Sequence, residues 1–272
     1  MTDVAEARYE LVISVDARRS GEYDDIEKTR MRARIYRVLE TAFTHTKVAR
    51  DSLHLEDRGD GVLVSVSGQV PVARLLGLWM VEVHEKLRDE NRALRVPLGL
   101  RVGMHVGPVR HDDRGIAGRA VDLACRLADS TVARQLLDAE RADLVLAVSG
   151  SLYEDVVSGG GKFIEPARYS AARLELKEGP VTAWFHLPGR PAPAMPAAPG
   201  TRPDARAEEA GADGAAPADG AAYADRSGDS GDSGDSGARY HVQGDMSQHT
   251  GNVYQQPVHI GRTTGDAGRR KG

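Results

Sequence analysis

Apolar and polar positions divide the chain into a patterned part and an unpatterned one. Residues 8 to 16 form an apolar run, Tyr9 to Val15, closed by Asp16, and read as a buried strand. After the loop Arg18-Arg19-Ser20-Gly21, the pair Asp24-Asp25 caps a helix whose stripe of Met31, Ile35, Val38, Leu39 and Ala42 follows helical spacing. Leu53 to Glu56 and Val62 to Val66 flank a glycine-bearing connection of hairpin length that presents Asp60. Pro71 starts a second amphipathic helix carrying Val72, Leu75, Leu76, Trp79, Val83 and Leu87, which ends before Pro97. Leu98 to Val106 reads as a strand, and Gly107 to Gly118 as a glycine- and charge-rich loop opening into a helix over Ala120 to Leu127. A polar helix around Arg134 to Glu140, a strand over Leu144 to Val148 and a short helix over Ser149 to Val157 follow. Tyr169 to Leu176 and Val181 to Leu187 then make a final hairpin. This order of strands and helices predicts an α+β protein, a ferredoxin-like two-layer α/β sandwich on a mostly antiparallel sheet.

Periodicity stops near Leu187, so one domain over 1–190 is expected to carry the fold. From 191 to 237 Ala, Pro, Gly, Asp and Ser dominate, with the repeat Gly228 to Gly237. Such a segment buries too little apolar area to offset its ordering entropy and reads as a disordered tether. Residues 238–263 change character again, with Val, Tyr and Ile spaced among Gln, Asn and His. This is a short β-prone segment suited to pairing with itself or with a protein partner. Pro257 and several glycines favour the other reading, a plain soluble tail, and 264–272 is a basic end.

Composition narrows the partners. The 272 residues carry a net charge of −4 with both signs mixed, which gives no basic field for nucleic acid. No apolar run approaches the roughly 18 to 20 residues of a bilayer span. The single cysteine, Cys125, excludes an internal disulfide. The acidic opening Met1 to Glu6 has neither a basic nor an apolar leader region, so a cytoplasmic location is expected.

The candidate chemistry lies in two acids at strand ends. An aspartate closing a buried strand keeps its backbone in the sheet while its carboxylate faces the edge, and Mg²⁺ prefers one or two such groups plus substrate phosphates. Asp16 and Asp60 fit that description. His105 alternates along a strand and reads as a packed or cross-strand paired residue, and Cys125 as a small apolar one.

Residues 8 to 187 resemble the class III nucleotidyl cyclase homology domain, particularly such domains in actinobacterial proteins. The resemblance rests on the strand ending in Asp16, Glu56-Asp-Arg-Gly-Asp-Gly-Val-Leu63, Leu100-Arg-Val-Gly-Met-His-Val-Gly107, Gly118-Arg-Ala-Val-Asp-Leu-Ala-Cys-Arg-Leu127 and Leu176-Lys-Glu-Gly-Pro-Val-Thr-Ala-Trp184. It implies metal-dependent conversion of a nucleoside triphosphate to a 3′,5′-cyclic nucleotide and pyrophosphate at the interface of a homodimer. Two ions, Mg²⁺ or Mn²⁺, would be held by Asp16 and Asp60. Arg126 would stabilise charge on the α-phosphate and Lys177 would hold the terminal phosphates. The chain departs from the family at Asp122, where an asparagine is usual, and at Glu56 and Gly115, the positions that read the base in many adenylyl cyclases. It departs again in Arg18 to Gly21, where a phenylalanine is usual. These departures support an alternative, a degenerate homologue that senses nucleotide or scaffolds a signalling or phage-defence assembly. Val258 to Gly261 resembles the short cores of amyloid signalling motifs.

Overall fold

The computed structural model describes residues 6–177 and 179–196; the expected tether beyond residue 196, the β-prone segment and the basic end lie outside the described residues. Its sheet runs β2 (Leu53–Asp57), β3 (Gly61–Ser67), β1 (Arg8–Ala17), β4 (Leu100–Asp112), β6 (Leu144–Ser149), β8 (Gly179–His186) and β7 (Ser170–Leu176), with β5 (Gly115–Ala117) paired to the far end of β4. All the pairings are antiparallel except β4 with β6. The α+β class and the mostly antiparallel sheet read from the pattern are therefore present.

Side-chain alternation along β1 assigns the two faces. Leu11, Ile13 and Val15 enter one core with Ile35, Val38 and Leu39 of α1 (Asp25–His45) and Val83 and Leu87 of α3 (Met80–Asn91). Val12 enters another with Ala120, Val121 and Ala124 of α4 (Arg119–Ala128). Val145 and Ala147 of β6 likewise meet Leu136 and Leu137 of α5 (Thr131–Ala139), while Leu144, Leu146 and Val148 face the first core. Helices thus cover both faces of the sheet. Helix α1 starts at a capping box, with Asp24 accepting from the Glu27 N–H and Glu27 from the Asp24 N–H. The helix after Pro71 begins as α2 (Val72–Arg74) and passes through a π turn, Leu75–Trp79, into α3.

Helix α4 lies directly on β4 because Gly103 has no side chain. A Cβ there would stand 2.1 Å from the Ala124 carbonyl oxygen. The segment from Gly107 to Gly118, expected to be a loop, is instead largely strand: β4 continues to Asp112 and folds back as β5. Pairing with β1 holds it, Glu10 opposite Gly107 and Arg8 opposite Val109, so that backbone hydrogen bonding outweighs the glycine- and proline-rich composition.

Candidate active site

Asp16 is the penultimate residue of β1, with Gly61 of β3 opposite it on one side and Arg101 of β4 on the other. The bare Gly61 leaves room for the carboxylate, since a Cβ there would lie 2.8 Å from Asp16 Oδ1. Asp60 precedes Gly61 in the β2–β3 turn. Its backbone carbonyl accepts the Ala17 N–H at 3.0 Å, and its carboxylate accepts the Ser20 hydroxyl at 2.5 Å. The two acids predicted from sequence therefore converge on one sheet edge. They are close enough to interact: burial raises the Asp16 carboxyl from 3.8 to about 6, Arg101 opposes the rise, and the negative charge of Asp60 adds to it.

Arg101 is the residue that sequence reasoning missed. It is buried, with 8% of its surface exposed, and its guanidinium donates to the carbonyls of Ala128 at 3.0 Å and Ala17 at 3.4 Å. The same group lies 3.9 Å from Asp16 and 3.7 Å from Asp129. Its signal was available, an arginine inside the otherwise apolar run Leu98 to Val102. In front of these residues opens a pocket of about 320 Å³, lined among others by Arg18, Arg19, Ser20, Asp60, Arg101 and Arg134.

The other predicted residues sit elsewhere on the same chain. Asp122 and Arg126 of α4 line a separate cavity of about 650 Å³, together with His105, Leu176 and Val181, and Lys177 follows Leu176 in the β7–β8 turn. His105 accepts or donates across 2.8 Å to the Ser149 hydroxyl, and burial holds its pKa below the ordinary value. Glu56 and Gly115 meet each other directly. Glu56 Oε1 accepts the Ile116 N–H at 2.5 Å and faces His54 Nε2 at 3.0 Å, while Oε2 accepts from Arg58 at 2.9 Å. Gly115 has φ +136°, and a Cβ there would stand 2.2 Å from Glu56 Oε1. The acid thus fills the space that a side chain at 115 would occupy.

A divalent ion suits part of this arrangement. Among the described residues no group of three His, Cys, Asp or Glu side chains is placed to hold a metal. Asp16 and Asp60 are nonetheless two hard oxygen donors beside a pocket, the donor set that Mg²⁺ uses when phosphates complete its shell.

No family model and no curated protein matches the chain. Solved structures do. The guanylyl cyclase Cya2 is 19% identical, with a TM-score of 0.50, the alignment covering 71% of this chain and all of that one. An adenylate/guanylate cyclase/hydrolase from Silicibacter pomeroyi is 18% identical over 68% of this chain and all of its own, TM-score 0.49. The adenylyl cyclase CyaB from P. aeruginosa is 14% identical over 70% of this chain and 99% of its own, TM-score 0.46. The similarity to Cya2 establishes the class of fold, that of a nucleotidyl cyclase domain. Among the described residues no helix is long and apolar enough to cross a membrane.

Proposed function

We propose that the chain is a nucleotidyl cyclase-like protein that converts a nucleoside triphosphate to a 3′,5′-cyclic nucleotide and pyrophosphate at an interface between two copies of itself. The observation that carries this reading is the division of the candidate residues. Asp60 lines one pocket with Asp16 near enough to feel its charge, whereas Arg126 and Asp122 line a different cavity that reaches Leu176, the residue before Lys177. One copy holds two half-sites, and a two-fold pair of copies completes both.

Asp16 and Asp60 would hold Mg²⁺ or Mn²⁺, two ions by the resemblance, which when bound supply Lewis acidity at the ribose 3′-oxygen and the departing pyrophosphate. Arg126 stabilises charge gathering on the α-phosphate by fixed electrostatics, and Lys177 neutralises the terminal phosphates. Asp122, an acceptor where an amide would both donate and accept, selects for a donor such as a ribose hydroxyl. Glu56 sets the edge of the base pocket, with its carboxylate oriented by the Ile116 N–H beside Gly115. Below about pH 6 the proton on Asp16 competes with the metal. The three donors already on Glu56 favour the second reading, a nucleotide sensor of low turnover. In either reading residues 238–263 recruit a partner and are dispensable for nucleotide binding.

Complementation tests the shared site. Asp60→Ala and Arg126→Ala are each expected to be inactive alone. Mixed in equal amounts and allowed to exchange, they recover about a quarter of wild-type turnover, because half the dimers are mixed and each of those has one intact site. A mixture as silent as its components contradicts a site made by two copies.

A further inference from the structure

We propose that Arg19 is a phosphate-binding residue, held in a strained backbone conformation so that it faces the terminal diphosphate of a bound nucleotide. The proposal rests on the reading of the Asp60 pocket as a triphosphate site.

Arg19 has φ 53° and ψ 36°, a left-handed conformation that crowds the Cβ of an L-residue and that glycine adopts freely. Local structure gives no reason for an arginine there. The side chain makes no capping hydrogen bond to the short helical turn Ser20–Glu22 that follows. It is 60% exposed, and its ion pair with Asp138 spans 3.4 Å between two solvent-facing groups. A non-glycine residue kept in this region beside a pocket points to a use for its side chain.

The pocket supplies that use. Four arginines line it, and they divide into two pairs by how they are held. Arg101 is buried and fixed to the Ala128 and Ala17 carbonyls, and Arg18 donates to the carbonyls of Leu137 at 3.5 Å and Pro97 at 3.3 Å; each also lies near an acid, Arg101 3.7 Å from Asp129 and Arg18 3.9 Å from Asp138. Arg19 and Arg134 rest on the same exposed acids, Asp138 and Asp129, with no backbone carbonyl holding either guanidinium among the described residues. An exposed ion pair is readily exchanged for a stronger one, and a guanidinium binds a phosphate through two parallel hydrogen bonds. The fixed pair shapes the floor, and the exchangeable pair can swing from carboxylate to phosphate when the ligand enters. With about 320 Å³ the pocket lies at the small end of ligand sites, which run from roughly 300 to 1,000 Å³. That size suits a diphosphate group, whether free or at the end of a triphosphate.

The test sets stability against affinity in the full-length protein. Calorimetric titration with Mg²⁺-pyrophosphate, and separately with each of the four Mg²⁺-triphosphates, is combined with thermal unfolding. Arg19→Gly relieves the strain and removes the cation, so it should unfold at a higher temperature than wild type and bind pyrophosphate and triphosphate about tenfold more weakly, the loss of one charge-assisted contact. Arg19→Asn, which tolerates the left-handed region, should lose the same affinity. Lys47→Gly is the matched control, another exposed cation at φ 55° and far from the pocket in the chain; it should gain stability with affinity unchanged. Wild-type affinity in both Arg19 variants, or an equal loss in Lys47→Gly, overturns the proposal. If the wild-type protein binds neither pyrophosphate nor any triphosphate, the reading of the pocket fails and the proposal fails with it.

Discussion

Replacing Asp16 by asparagine should stabilise the metal-free protein at alkaline pH and do little in acid. The carboxyl is three-quarters covered, and burial raises its pKa from 3.8 to about 6 against the pull of Arg101. A folded-state pKa above the unfolded one means that the native state binds the proton more tightly. This contribution to stability is complete below pH 3.8 and is lost as the pH rises through about 6. The rise corresponds to about 3 kcal/mol. At pH 8 the wild-type protein carries a buried charge at that cost, and the amide of the variant imitates the neutral acid without it. For a domain of this size about 3 kcal/mol moves the melting temperature by about 6 to 12 °C. Thermal unfolding with a chelator present should therefore show the Asp16→Asn variant melting above wild type by that margin at pH 8, and close to it at pH 4. Saturating Mn²⁺ should raise the wild-type melting temperature at pH 8 and leave the variant where it was. A variant less stable than wild type at pH 8 with chelator, or a gap that does not change between pH 4 and pH 8, would refute the assignment of burial as the dominant cause.

Other substitutions probe the surroundings of the site. Gly115→Ala forces a Cβ into Glu56 at a backbone angle alanine avoids, so chemical denaturation should show a loss of about 3 kcal/mol, and adding Glu56→Ala should restore part of it. His84, His105 and His186 are all held below the ordinary histidine value chiefly by burial, so their contribution to stability is present above pH 6.5 and lost as the pH falls below it; His105→Gln should lose less stability than wild type between pH 7 and pH 5. Trp79 is fully buried and its indole N–H has no hydrogen-bond partner among the described residues, so Trp79→Phe removes an orphaned donor as well as packing volume and should cost less than about 1 kcal/mol by urea unfolding.

The amino-acid pattern revealed much of this architecture because its strongest signals are local. The stripe of Ile35, Val38 and Leu39 specifies α1, and an apolar run stopped by an acid specifies β1 with Asp16 at the edge. Asp60 was legible for the same reason, as an acid in a turn between two β-rich runs. Relations between distant residues were harder to read. Gly107, Pro108 and the charges from Arg110 to Arg114 resemble punctuation, and only pairing with β1 shows that most of them are strand. Glu56 and Gly115 looked like two independent departures from a family pattern, whereas the fold makes them one feature, an acid occupying the space of an absent side chain. Arg101 was hidden because its value lies in what surrounds it, the end of α4 and the two acids at 3.7 and 3.9 Å. Arg126 and Lys177 could be picked out by type and position, but their separation from Asp16 and Asp60 on the same chain required the folded sheet.

The central claim is that the acids converging at this sheet edge serve nucleotide chemistry. It is tested most directly by incubating the full-length protein with Mn²⁺ and each of the four nucleoside triphosphates and measuring pyrophosphate release together with cyclic nucleotide. The account predicts that at least one triphosphate yields the two products in equal amounts and that Asp60→Ala abolishes both. Release of neither product from any of the four, or turnover that survives Asp60→Ala unchanged, would contradict it.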